Sequence, residues 1–353
     1  MNRRFWDGRR VLVTGHTGFK GSWLSLWLGH LGAIVSGLAL PPDEDAAATY
    51  PALSPWPDLD SHFVDLRHRD EVARVIAATD PEVILHLGAQ ALVRRGFSDP
   101  VGTYAVNVLG TAHVLDATVL APSLRAIVTV TSDKVYANVG AGRPFREDDP
   151  LGGADPYSSS KACADLVAGA WAKSFLHNRA VASATARSGN VIGGGDRGED
   201  RLLPDVWRSL EGRAPVRLRY PEATRPWQFV LEPLHGYLLL AEHLVSAPEE
   251  APQTVNFGPN PDACLPVAQV VDRVLSLWGE GTWDPEPLPQ PPEAQTLLLD
   301  ASRATETLGW HPRLDLDTSL AWTVEWWTAW RDAMDIRKVA ERQIESYEKM
   351  IAS

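Results

Sequence analysis

Val11-Leu12-Val13-Thr14-Gly15-His16-Thr17-Gly18-Phe19-Lys20-Gly21-Ser22-Trp23-Leu24 sets a short apolar run against glycines at 15, 18 and 21. Val11 to Thr14 reads as a strand, and from Ser22 to Leu31 the residues Trp23, Leu24, Trp27, Leu28 and Leu31 recur at helical spacing. The glycines therefore occupy a strand-to-helix turn. Glycine there permits the tight turn and lets backbone amides approach a pyrophosphate, which the positive end of the helix dipole favours. The stretch predicts a dinucleotide cradle built from Gly15, Thr17, Gly18, Phe19, Lys20 and Gly21.

Outward from this turn the pattern repeats. Strands are predicted at Ile34 to Leu40, Val83 to Leu87, Ala126 to Thr131 and Val181 to Ala186, with helices at Arg69 to Ala78, Val101 to Leu120 and Tyr157 to about Phe175. His62-Phe63-Val64 reads as a further strand ending at Asp65. Such alternation specifies an α/β fold, a Rossmann-type doubly wound parallel sheet. This first unit runs over residues 1–187. Beyond it the alternation gives way to loops such as Gly193-Gly194-Gly195-Asp196 and Arg225-Pro226-Trp227, with helices at Leu203 to Leu210 and Pro233 to Leu244. Residues 188–353 thus read as a smaller, mixed C-terminal lobe for substrate, with some segments returning to the first unit. Five prolines between Pro285 and Pro292 mark a connector, and Asp332 to Lys349 reads as a solvated helix, or one that faces a partner.

The 353 residues are 44% hydrophobic and 22% charged, which excludes disordered, collagenous and coiled-coil classes. A net charge of −12 argues against nucleic acid or an anionic membrane as the partner. No apolar stretch approaches the ~18 residues of a membrane span, and the N-terminus has no room for a signal peptide's apolar region. A soluble chain in the cytoplasm is the expectation. Cys163 and Cys264 have neither disulfide-framework nor metal-ligand spacing, so no metal site is predicted.

Tyr157-Ser158-Ser159-Ser160-Lys161 places a tyrosine and a lysine four apart on one helix face. A tyrosine base must fall from a reference pKa near 10, and a nearby ammonium with a nicotinamide cation would lower it. His86 and Tyr136 read as buried packing residues, and Trp322, Trp326, Trp327 and Trp330 share one helical face as core or interface.

The glycine turn, the Tyr157/Lys161 pair and the order of elements resemble the nucleotide-sugar branch of the extended short-chain dehydrogenases/reductases. The stretches TGHTGFKGSWL from Thr14, HLGAQALVR from His86, TSDKVY from Thr131, GGADPYSSSKACAD from Gly152, RSGNVIGGGD from Arg187, EDRLLPD from Glu199 and RPWQFVLEPLHGYLLLAE from Arg225 are similar to the CDP-glucose 4,6-dehydratase family within it. NFGPN from Asn256 and LDASRATETLGW from Leu299 extend the resemblance over essentially the whole chain.

That resemblance implies an enzyme that removes hydride from sugar C4, eliminates water across C5 and C6, and returns hydride to C6. It implies Tyr157 as the base at O4, Ser132 on the same hydroxyl, Lys161 on the nicotinamide ribose, Asp133 as the acid at O6 and Lys134 as the base at C5. A lysine base must be neutral, so its value must fall by about 2 to 3 units from near 10.4. The cofactor implied is NAD, held also by Asp65, Leu66, Leu87, Ala89 and Thr131. The second strand ends in Leu38-Ala39-Leu40-Pro41-Pro42 with no acidic residue for the ribose, which leaves NADP open; Asp43 and Asp45 follow in what reads as a solvated loop. Gln90, Asn190, Arg201 and Arg225 fall at substrate positions, where an arginine suits a diphosphate. A homodimer through the helices near Val101 and Tyr157 is implied, with higher assembly open.

The chain departs from the family pattern at Val135, at Ala137, over Val139 to Arg143, at Arg197-Gly198 and at Phe229. These changes bear on the nucleotide more than on the reaction, so CDP-glucose is favoured and other nucleotide sugars stay open. A 4-epimerase or reductase on this scaffold has no use for an acid and base at 133 and 134. A non-catalytic dinucleotide sensor has no use for the Tyr157/Lys161 pair.

Overall fold

Six strands alternate with helices over the first half of the chain: β1 (Arg10–Thr14), β2 (Ile34–Ala39), β3 (Leu59–Phe63), β4 (Val83–His86), β5 (Ala126–Val130) and β6 (Ala182–Arg187). Short strands follow: β7 (Val191–Ile192), β8 (Val216–Leu218), β9 (Thr224–Pro226), β10 (Gln228–Phe229), β11 (Thr254–Asn256), β12 (Cys264–Pro266) and β13 (Trp283–Pro285). The structure, a computed structural model, describes residues 1–43, 48–138, 143–286 and 297–352. Asp45, residues 139–142 and residues 287–292 of the proline-rich stretch lie outside the described residues.

Seven strands pair in parallel in the order β11-β6-β5-β4-β1-β2-β3. The chain runs outward from β1 to β3, then crosses to β4 and proceeds the other way. Direction therefore reverses between β1 and β4, and the crevice beyond their carboxyl ends is where such sheets bind ligands. The two-residue period of the strands divides the core. Val11 and Val13, Val83 and Leu85, and Ala126 and Val128 face one apolar layer, whereas Leu12, Ile84 and Ile127 face the other. Every residue of β4 and β5 is buried, as expected for parallel strands covered on both sides. Three two-stranded sheets, β10-β7, β12-β9 and β13-β8, lie in the later half of the chain.

Several expected elements are shifted. β3 ends at Phe63, so Asp65 stands two residues past the strand. The helix expected over Val101 to Leu120 is interrupted by a π-helical turn at Ala105–Leu109, which carries the buried Asn107. Asn107 Nδ2 donates to Gln90 O at 3.0 Å and to Ser160 Oγ at 2.8 Å, so the irregular turn serves the neighbouring Tyr157 helix. The C-terminal helix, Ile336–Ala352, is docked rather than solvated. Ile336, Val339, Ala340, Gln343, Ile344 and Tyr347 form a buried stripe, and part of the charge that suggested exposure is itself engaged, Glu348 accepting from Trp27 Nε1 at 2.8 Å.

Candidate active site

One cavity of about 1970 Å³ opens at the carboxyl ends of the central strands, and each site residue expected from the sequence lines it. At one end is the glycine turn. Gly15 has φ +75°, and a Cβ there would stand 2.9 Å from the Gly88 backbone. A Cβ on Gly21 would fall 2.0 Å from Gly15 O, so the turn and the first helical coil touch without room for side chains. The helix Phe19–His30 starts at Gly18 with no side-chain cap, leaving its first amides without intrahelical acceptors beside the cavity. This cradle fits a dinucleotide pyrophosphate. Leu66, Leu87 and Ala89 line the same end. Asp65 is tied to Arg67 at 2.6 Å, and this partner holds its carboxyl below the ordinary aspartate value.

The cluster at residues 131–161 lies where β5 ends. Ser132 caps a 3₁₀ turn at Asp133–Val135, its Oγ accepting from Lys134 N at 3.2 Å. Ser132 Oγ donates to Asp133 Oδ1 at 2.9 Å, and Asp133 Oδ2 is buried with no hydrogen-bond partner. Gly189 keeps this carboxylate in place, since a Cβ there would overlap it at 2.0 Å. The facing helix, Pro156–Trp171, is capped by Asp155, whose Oδ1 accepts from Ser158 N at 3.0 Å. One turn apart on its inner face are Tyr157 and Lys161, both buried. Lys161 Nζ donates to Val130 O at 2.9 Å.

Several charges act on the tyrosine. Burial raises the Tyr157 phenol, while its hydrogen bond with Ser132 and the nearby Lys134 act to lower it. Burial and the nearby Lys20 bring Lys161 itself down to about 7. Lys20, expected at the cofactor, turns its ammonium inward to Ser188 Oγ at 3.2 Å and Tyr237 OH at 3.3 Å. Burial first, then Arg201, brings Lys20 down to about 8.

The opposite arm of the cavity holds Asn190, Arg201 and Arg225. Asn190 has φ +49°, and its buried Nδ2 has no hydrogen-bond partner. Arg201 Nη1 donates to both oxygens of Asp196 at 3.0 Å. Gln90 lines the cavity, but its side-chain amide is engaged by Leu92 and Thr103. Sequence reasoning did not single out Asp155, Ser188, Gly189, Asp196 or Tyr237 for the site. Only the small residue before Asn190 carried a signal, and it needed the position of Asp133 to be read.

The model of the NAD dependent epimerase/dehydratase family matches residues 11–258. The chain belongs to that family. It is 43% identical over 98% of its length, and 98% of the relative's, to the CDP-glucose 4,6-dehydratase of Salmonella typhimurium. Identity to the UDP-glucose 4-epimerase of Mycolicibacterium smegmatis is 28% over 90% of this chain and 97% of that one. Among solved structures, the dTDP-glucose 4,6-dehydratase of Streptomyces venezuelae with NAD bound superposes with a TM-score of 0.78 at 24% identity, covering 93% and 99% of the two chains. Family membership accounts for the Rossmann-like sheet and its glycine turn.

Proposed function

We propose that the chain dehydrates a nucleotide sugar, CDP-glucose, to CDP-4-keto-6-deoxyglucose with NAD as the resident cofactor. The observation that carries this is the adjacent acid and amine, Asp133 and Lys134, in one turn beside Tyr157, on a cavity that also holds a dinucleotide cradle. The 43% relative of nearly full length supports the nucleotide and the reaction. Residues 1–187 hold the cofactor and residues 188–353 mainly the nucleotide sugar. The three-residue strand β11 returns to the sheet of the first unit.

NAD bound at the cradle would supply the hydride acceptor for sugar C4 and the hydride donor for C6. The uncapped start of the Phe19–His30 helix would hold its pyrophosphate, and Lys161 its nicotinamide ribose. Tyr157, steadied by Ser132, takes the O4 proton as C4 becomes a ketone. Lys134 takes the now acidic C5 proton while Asp133 delivers a proton to the C6 oxygen, so the C6–O bond breaks and water leaves. Lys134 then returns its proton to C5 as C6 takes up hydride, and the O4 proton held by Tyr157 passes to the Asp133 carboxylate, replacing the proton that left in water. The sum is loss of one water with no net redox change. Asn190, Arg201 and Arg225 hold the diphosphate end, with Gln90 beside them. Two copies pair through the Tyr157 helices, and the enzyme works in the cytoplasm; no helix among the described residues is long and apolar enough to cross a membrane.

Incubation with NAD and, separately, CDP-glucose, dTDP-glucose, GDP-mannose and UDP-glucose, read as mass loss of one water, tests this. Water loss from CDP-glucose alone is expected. Lys134→Met is expected to lower the rate by about 10² to 10⁴, the usual contribution of a positioned base. C4 epimers without water loss, or a Lys134→Met variant of normal rate, would overturn the assignment.

A further inference from the structure

The residue two places after Lys134 is more than packing. Tyr136 leaves the 3₁₀ turn in extended conformation, is 2% exposed, and stacks on Phe145 with ring centroids 4.9 Å apart and planes 6° apart. Its hydroxyl donates to Asn256 Oδ1 at 2.7 Å and accepts from Arg187 Nη1 at 2.8 Å. Arg187 in turn binds both carboxylate oxygens of Asp165, through Nε at 2.9 Å and Nη2 at 2.8 Å. Asp165 Oδ2 also accepts from Thr131 Oγ1 at 2.9 Å. The hydroxyl thus ties the far end of the Asp133-Lys134 turn to β6, through Arg187, and to β11, through Asn256. Burial pushes this phenol up to about 12, so it stays neutral and acts only through hydrogen bonds.

The Tyr157 side of the site has supports of its own. Asp155 caps the helix, Asn107 holds Ser160, and Lys161 is bound to Val130 O. The two halves meet at Arg187, which also binds Asp165 on the Tyr157 helix, but that ion pair uses Nε and Nη2 and not the Tyr136 hydroxyl, so it stands when the hydroxyl is removed.

We propose that Tyr136 is a positioning residue for the elimination half of the reaction, its hydroxyl, clamped by Arg187 and Asn256, fixing Asp133 and Lys134 against sugar C6 and C5. This rests on the dehydratase reading above. Removing the hydroxyl slackens the turn but leaves Tyr157 and Lys161 where they were. Small misplacement of a reacting group is enough to cost about 10²-fold in rate.

The test compares Tyr136→Phe with the unaltered protein, each loaded with NAD and mixed with CDP-glucose. Reduced-nicotinamide absorbance in the first turnover reads C4 oxidation, and mass spectrometry reads water loss. Expected is an initial absorbance rise within about twofold of the unaltered protein, a kcat for water loss down by about tenfold to a hundredfold at unchanged KM, and a higher standing level of reduced nicotinamide. CDP binding by calorimetry is expected to be unchanged. Phe145→Leu loosens the stacked ring while keeping the hydroxyl, and gives the same split to a smaller degree should the first variant not fold. Equal slowing of both halves, or no slowing, overturns the proposal. If the unaltered protein removes water from none of the nucleotide sugars, it is the dehydratase reading that fails, and the positioning role falls with it.

Discussion

Lys20 and Lys161 both line the cavity, and their desolvation carries a consequence for stability. In the unfolded chain both have ordinary values of 10.5, whereas in the folded chain they stand at about 8 and about 7. Between these folded values and 10.5 the unfolded chain binds more protons, so the stability of the cofactor-free protein rises with pH across that window. Each group contributes a slope of at most about 1.4 kcal/mol per pH unit. Urea midpoints measured from pH 7 to 9 are expected to climb, and Lys161→Met is expected to flatten the climb. A variant with the same rise as the parent would remove Lys161 as its source. Spacing within one element was enough to anticipate that Tyr157, Lys161 and the glycines line one cavity. It could not place Asp165 with Arg187, or Lys20 with Tyr237, since those pairs meet only after the sheet has formed.

At the scale of elements, the C-terminal helix is the instructive difference from the sequence reading. Its charges suggested solvent, yet Tyr347 donates to Glu232 Oε2 at 2.7 Å, and the other oxygen of Glu232 accepts from Arg313 N at 2.9 Å and Leu314 N at 2.7 Å. A buried glutamate on the helix Leu231–Ser246 thus gathers three donors from the last sixth of the chain. Tyr347→Phe leaves Glu232 buried with one donor fewer, and the expected loss of stability is about 1 to 3 kcal/mol, read as a lower urea midpoint. An unchanged midpoint would mean the helix is held by its apolar stripe alone. The alternating strands and the helix after Gly18 could be read from periodicity because burial on both faces of a parallel sheet imposes it. The two- and three-residue strands β7 to β13 could not, being too short to show any period. Their places are set by loops such as Gly193 to Asp196, where Trp23 Nε1 donates to Gly194 O at 3.0 Å and a Cβ on Gly194 would overlap Trp326.

For the whole molecule, the outer faces of the two long helical segments raise the question of assembly. Val101 is 79% exposed and Leu109 56%, and on the neighbouring Pro156–Trp171 helix Leu166 is 61% exposed. Phe175, just beyond that helix, adds another 56%. Large apolar side chains grouped on adjoining helices, on a chain of net charge −12, fit a second copy of the same surface better than solvent. The inner face of the same helix carries Tyr157 and Lys161, so pairing would press that helix against the sheet from outside. Two chains per particle are expected by light scattering. Leu166→Glu with Val101→Glu places like charges across the two-fold and is expected to give single chains that still unfold cooperatively. Their CDP-glucose dehydration would then fall, because the Tyr157 helix has lost its outer support, while a wild-type protein that scatters as one chain would remove the paired surface altogether.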